Sequence, residues 1–146
     1  MNLITDRTLA DVVRVSELSA KGYANMTPAE QAEWLAGMKG SYNYTDLNRV
    51  ESAMVQIASF LGVTLYEPKT NWNATDIPTK SSMDRYLENI KRLRRVCNGI
   101  SSTPSTPTTM VGLTYVTANH IEQILLDIES AMNGYAVCGE TYCGEG

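Results

Sequence analysis

The chain predicts an all-α fold, a bundle of four main helices and one short helix that ends in an extended C-terminal tail. Three observations carry this reading. Apolar residues recur at three- and four-residue spacing in separate stretches. Capping residues stand before several of these stretches and glycines close them. Between them lie runs rich in Pro, Gly, Asn, Ser and Thr, which punctuate the chain. With 146 residues the sequence suits one domain, large enough to bury a core without staples. We divide it into a helical domain, 1–134, and a tail, 135–146.

The best-specified stretch is SYNYTDLNRVESAMVQIASFLG, Ser41 to Gly62. Leu47, Val50, Met54, Ile57, Ala58 and Leu61 share one helical face. Thr45 is the expected N-cap, Asp46 sits where the helix dipole favours an anion, and Gly62 suits a left-handed stop.

From the beginning of the chain, Thr8 and Asp11 predict a capping box for a helix running to Lys21, with Leu9, Val12, Val13, Val15, Ser16 and Leu18 as a broad buried face and Gly22 as its end. Thr27-Pro28-Ala29-Glu30 announces a short second helix, whose apolar side is Trp34, Leu35 and Met38. After Gly62, VTLYEPKTNWNATDIPT reads as an ordered loop with one short extended piece at Val63, Leu65 and Tyr66. Trp72 is expected to plug the edge of the core, not to stack a ligand. Ile77-Pro78-Thr79 forces an extended lead into a helix over 80–98, with Met83, Tyr86, Leu87, Ile90, Leu93, Val96 and Cys97 on its apolar side.

Residues 99–112 form a Ser/Thr/Pro connector that Ile100, Met110, Val111 and Leu113 pin to the core. The last helix begins at Thr117, or at Thr114 if the earlier threonine caps, and buries Ile121, Ile124, Leu125, Ile128 and Met132. Asn133-Gly134 is its expected end. The tail YAVCGETYCGEG, with its near-repeat of Cys-Gly-Glu, fits a short strand or hairpin that serves as an assembly handle.

An internal echo links two helices. At a constant offset, Tyr44, Asn48, Arg49, Val50 and Glu51 match Tyr115, Asn119, His120, Ile121 and Glu122, which suggests two related halves about a pseudo-twofold axis. Asn48, Asn119 and His120 form a polar cluster on one reading; on the favoured one the asparagines satisfy nearby backbone groups.

Composition excludes more than it assigns. A net charge of −4 and a pI near 5.0 argue against wrapping nucleic acid or lying on an anionic membrane. No window approaches the roughly 18 apolar residues of a membrane span, and MNLITDRTLADVV lacks signal-peptide features, so the expectation is synthesis in the cytoplasm. The three cysteines, Cys97, Cys138 and Cys143, read as free thiols, with a Cys138–Cys143 disulfide as a minor alternative; with His120 alone they do not compose a zinc site. Neither a catalytic motif nor a cofactor signature is present, and Glu51, Glu122 and Asp127 read as solvated or salt-bridged, so a non-enzyme is expected. Half of the twelve Lys and Arg fall in 80–98. Of these, Arg85, Lys91, Arg92, Arg94 and Arg95, with Tyr135, Val137 and Tyr142 of the tail, are the candidate partner-contact residues. A solvated basic face is the plainer reading, because no aromatic residues interleave the charges.

Five segments carry a resemblance: TDRTLADVVRV, MTPAEQAEWLAGMKGSYNYTDLNRVESA, the W-x-x-T-D-I-P-T-x-x-x-M-x-R-Y-L run from Trp72 to Leu87, LTYVTANHIEQIL, and CGETYCGEG. Together they resemble an uncharacterised family of bacteriophage and prophage proteins from gut Firmicutes, and Tyr42 to Glu51 is the most specific part. The resemblance implies a virion structural or adaptor protein in or near the tail or baseplate, with other phage structural proteins as partners, a homo-oligomer as a further option, and no catalytic residue. The alternative is a cytosolic prophage-encoded regulator that binds nucleic acid through the basic helix.

Overall fold

The computed structural model describes residues 1–96 and 102–137, the last three by backbone alone. Five α-helices form among these residues, α1 (Leu9–Lys21), α2 (Pro28–Leu35), α3 (Tyr44–Leu61), α4 (Lys80–Val96) and α5 (Tyr115–Val137), with a 3₁₀ turn at Tyr23–Asn25 and no strand. No described helix is long and apolar enough to cross a membrane.

The fold is a helical bundle whose core belongs to α3, α4 and α5, which pack on one another. Their expected stripes meet: Met54 and Ile57 of α3, Tyr86, Ile90 and Leu93 of α4, and Ile121, Ile124, Leu125 and Ile128 of α5 are all shut off from solvent. Burying each such side chain stabilises the fold by about 1.5–3 kcal/mol. Trp72 reaches in from the α3–α4 loop and is buried in the same cluster, as a plug. Val63, Leu65, Met110 and Leu113 cover its edges, whereas Val111 is exposed. The extended piece expected at Val63–Tyr66 makes no strand. Ile100 and Cys97 lie outside the described residues.

The caps follow the side-chain chemistry. Thr8 with Asp11 and Thr27 with Glu30 form reciprocal capping boxes, and Pro28 opens α2. At α3 the cap is Asn43, not Thr45: Asn43 Oδ1 accepts the Thr45 N–H at 2.9 Å, and Asp46 accepts the Asn43 N–H at 2.8 Å. Asparagine two positions earlier outcompetes threonine because its longer amide reaches the first turn from extended backbone. Gly62 closes α3 with φ +67°, the left-handed stop expected there. Thr114 caps α5, accepting the Thr117 N–H at 3.2 Å.

Further expectations fail at the two ends of the chain's helical part. The first helix does not bury a broad face: in α1 only Leu18 is buried, while Leu9 is 61 % and Val13 46 % exposed. The main packing of α1 is against the 3₁₀ turn, which leaves Leu9 and Val13 outward. Leu35 of α2 is likewise exposed, with Trp34 and Met38 half-buried. The last helix does not stop at Asn133-Gly134; it continues to Val137, so Tyr135 and Val137 belong to its final turn and not to an extended tail, and the boundary at 134/135 falls inside a helix. A glycine inside a helix costs only about 1 kcal/mol, a penalty that turns anchored by Ile124, Leu125 and Ile128 absorb. The hairpin expected in the tail, its Cys138–Cys143 pairing and Tyr142 lie outside the described residues.

Candidate functional site

Two polar fastenings and one groove occupy the end of the bundle where α3 and α5 begin. Both fastenings use the same pair of side chains, an asparagine and a glutamate one helical turn later, which face the same way because residues three apart are neighbours on a helix. On α3, Asn48 grips Trp72: its Oδ1 accepts the Trp72 N–H at 2.7 Å and its amide donates to the Trp72 carbonyl at 2.8 Å. Glu51 then accepts the N–H of Lys69. On α5, Asn119 grips Arg7 in the same manner at 3.0 and 2.9 Å, and Glu122 accepts the Ile4 N–H at 2.6 Å. The internal echo in the sequence is therefore one device used twice, holding Lys69–Trp72 against α3 and Ile4–Arg7 against α5. The asparagines do satisfy backbone groups, but these lie 24 and 112 residues away, and His120 takes no part in either grip. A third asparagine, the fully buried Asn89 of α4, holds the Tyr66 N–H and carbonyl, both at 2.8 Å. With Asn89 on one side and Glu51 on the other, Glu67 between them is kept at φ +31°.

Each glutamate needs a cation, since a buried carboxylate without one is costly. Glu122, wholly buried, receives Arg7 Nη2 at 2.7 Å and Arg49 Nη2 at 2.6 Å. Asp46 accepts from the same two nitrogens at 3.1 and 2.6 Å, closing a four-member network of two guanidinium and two carboxylate groups. Burial works to lower the Arg49 pKa, but the hydrogen bonds that Arg49 donates to Glu122 and Asp46 outweigh it and hold the guanidinium above its ordinary value. Glu51, also wholly buried, has Arg85 Nη2 at 2.7 Å. Here burial raises the carboxyl pKa, and the Lys69 N–H and Arg85 only partly oppose it. Beside these, the Tyr42 and Tyr86 hydroxyls share a 2.6 Å hydrogen bond, and burial pushes both phenols upward.

The groove, about 950 Å³, runs between the α3 and α5 starts over a floor that includes Tyr42, Leu47, Trp72, Met83, Met110 and Leu113. Gly40 sits at its edge. A Cβ there would lie 2.2 Å from the Asp11 carbonyl oxygen, so glycine alone lets the α2–α3 linker touch α1. Of the groove's apolar lining residues Tyr44 is exposed, and Ile77 at 84 %, Val111 at 82 % and Val116, each next in sequence to a lining residue, expose apolar surface as well. Its charged lining residues are already paired: Lys39 with Asp6 at 2.7 Å and Asp76 with Lys69 at 2.9 Å.

The candidate contact residues of α4 are not gathered into a free basic face. Arg85 serves Glu51 and the Glu67 carbonyl. Arg92 donates to the Thr64 carbonyl and stacks 3.8 Å from the Tyr66 ring centre. Arg94 donates to the Thr103 carbonyl at 3.1 Å, and Arg95 pairs with Glu88 at 3.2 Å. Lys91 is half-buried on the same helix. Asp127, the third acid of the sequence reading, accepts from Thr103 and Gln123. The sequence gives no sign of Arg7 and shows Arg49 only as a position of the internal echo, without a role; the repeated Asn-x-x-Glu spacing is the one signal pointing toward them. Among the described residues no three His, Cys, Asp or Glu side chains converge as a metal site would require.

Comparison with protein-family models, curated proteins and solved structures finds no match to this chain.

Proposed function

We propose that the chain is a non-catalytic structural or tail-associated adaptor of a phage or prophage virion, made in the host cytoplasm and working through protein–protein contact at the groove. The observation that carries this reading is the apolar groove, with exposed Tyr44 in its lining and exposed Ile77, Val111 and Val116 adjoining lining residues in sequence. A cluster of this kind at one end of a domain whose charges are paired internally suits a partner's apolar side chains better than a charged substrate. The sequence resemblance supplies the virion setting. The competing reading, a nucleic-acid-binding regulator, loses its main support because Arg85, Arg92 and Arg94 are engaged with Glu51 and with loop carbonyls instead of standing ready for phosphates.

The test is mass spectrometry of gradient-purified particles from a strain that carries the coding sequence. A constant ratio of this protein to the other virion components supports the reading; particles that lack it, from cells that contain it, overturn the virion assignment. Ile77→Glu and Val111→Glu alter exposed positions and should lower incorporation at least several-fold with the fold intact. Unchanged incorporation of both variants removes the groove as the contact surface.

A further inference from the structure

We propose that the α5 fastening is a receptor for an extended, arginine-bearing segment that is filled in trans, by residues 3–7 of a second copy of this chain. The segment is held like a bound peptide. Asn119 reads both backbone groups of Arg7, Glu122 takes the Ile4 N–H, and the Arg7 guanidinium is sunk between Asp46 and Glu122 with its side chain 2 % exposed. Leu3 adds an apolar contact with the core. Such a set of contacts specifies a sequence, an arginine three residues after a fixed backbone amide, and makes no distinction between cis and trans.

Covalent connection separates this fastening from its twin. Lys69–Trp72 is joined to bundle helices on both sides, by α3 before it and α4 after it. Residues 3–7 are joined to the bundle through α1, α2 and the single linker 36–43. That arm is tied together within itself: Arg14 pairs with Glu33 at 2.8 Å, Lys21 with Glu30 at 2.6 Å, and α1 packs against the 3₁₀ turn, while Val12 meets the groove and Asp11 touches Gly40 of the linker. The arm can therefore move as a body by re-pointing one short linker, and two copies that exchange arms rebuild every contact in a closed pair. Exchange competes with a linker that gives millimolar effective concentration, so it takes hold where copies are crowded or fixed side by side.

The test refolds the full chain from denaturant at about 1 µM and about 500 µM, well below and close to that millimolar range, and weighs the products by light scattering. Monomer at the lower concentration and a doubled mass at the higher, persisting on dilution, is expected; monomer at both overturns the proposal. Attribution comes from Arg7→Ala, which spoils the arm, and Asn119→Ala, which spoils the receptor. Each alone loses the same fastening from monomer and exchanged pair, so neither has an intact one. The two refolded together should give a heterodimer in preference to either homodimer, because only the mixed pair restores one fastening. A mixture of the two variants that gives heterodimer in no more than the statistical share of mixed pairs also overturns the proposal. Should Arg7→Ala not fold, Arg7→Lys, which keeps the charge and loses the planar fork, takes its place with the same expected outcomes.

Discussion

The fastenings on α3 and α5 use one grammar, Asn-x-x-Glu, and differ in where the arginine comes from. On α5 the held segment brings its own cation, Arg7, into a network that Arg49 completes from α3. On α3 the cation is Arg85, supplied by α4, and the held loop contributes only backbone to Glu51. Losing the loop would leave the α3 glutamate neutralised; losing the Ile4–Arg7 segment would take half the positive charge from the α5 network. The same pair of side chains thus makes a structural brace in one place and an addressable joint in the other.

The largest expected effect separates their charges. Glu122→Ala leaves two largely desolvated guanidinium groups on Asp46 alone and should cost about 3–5 kcal/mol in urea unfolding. Glu51→Ala should cost less, about 2 kcal/mol, because it strands one guanidinium, which keeps the Glu67 carbonyl as an acceptor, and because burial already works against the Glu51 charge. Equal losses would erase the distinction. Next come the asparagines. Asn119→Ala and Asn48→Ala each leave a backbone N–H and a carbonyl unpaired, a loss of about 2–3 kcal/mol. Amide exchange sharpens the comparison: Asn119→Ala should deprotect Ile4 and Arg7 and spare Trp72, with the reverse for Asn48→Ala, and a joint loss of protection in either variant would mean that the two act as one unit.

The two N-caps occupy the same offset, so Asn43→Ala and Thr114→Ala should be alike, each lowering stability by about 1 kcal/mol. A clear inequality between their thermal midpoints would break the equivalence of the helix starts. The smallest effect is with pH. A carboxyl raised in the folded state contributes stability that is fully present below its unfolded value, near 4.5, and lost as pH rises through the folded value. Wild type should therefore lose ground to Glu51→Gln as pH climbs from about 4.5 toward neutrality, and a flat difference across that range would remove burial as the dominant influence on Glu51.

Much of this architecture was legible in the residues. The stripes of α3, α4 and α5, the boxes at Thr8 and Thr27, the stop at Gly62 and the burial of Trp72 are local or periodic features, and local features can be read from one chain. The α3 start lies two residues before the Thr45 cap that the sequence suggests, because Asn43 and Thr45 are both competent caps and backbone angles settle their competition. Leu9 and Val13 have the spacing of a core face and lack a partner, which periodicity cannot reveal. The site was less legible still. Arg7, Arg49 and Arg85 look like surface cations until chain segments up to 115 residues apart are brought together. Only the recurrence of Asn48 and Glu51 as Asn119 and Glu122 hinted that those positions shared a task.

The two tryptophans fall on opposite sides of the linker 36–43. Trp34 is half-buried in α2 of the arm, and Trp72 is sealed in the bundle with the Lys69 ammonium 4.3 Å from its ring centre. The molecule therefore carries a separate intrinsic fluorophore in each of the two parts that the proposed arm exchange would separate. Emission from a Trp34→Phe chain reports the bundle and its groove, emission from Trp72→Phe reports the arm, and release of one from the other becomes visible in a cuvette without any attached dye.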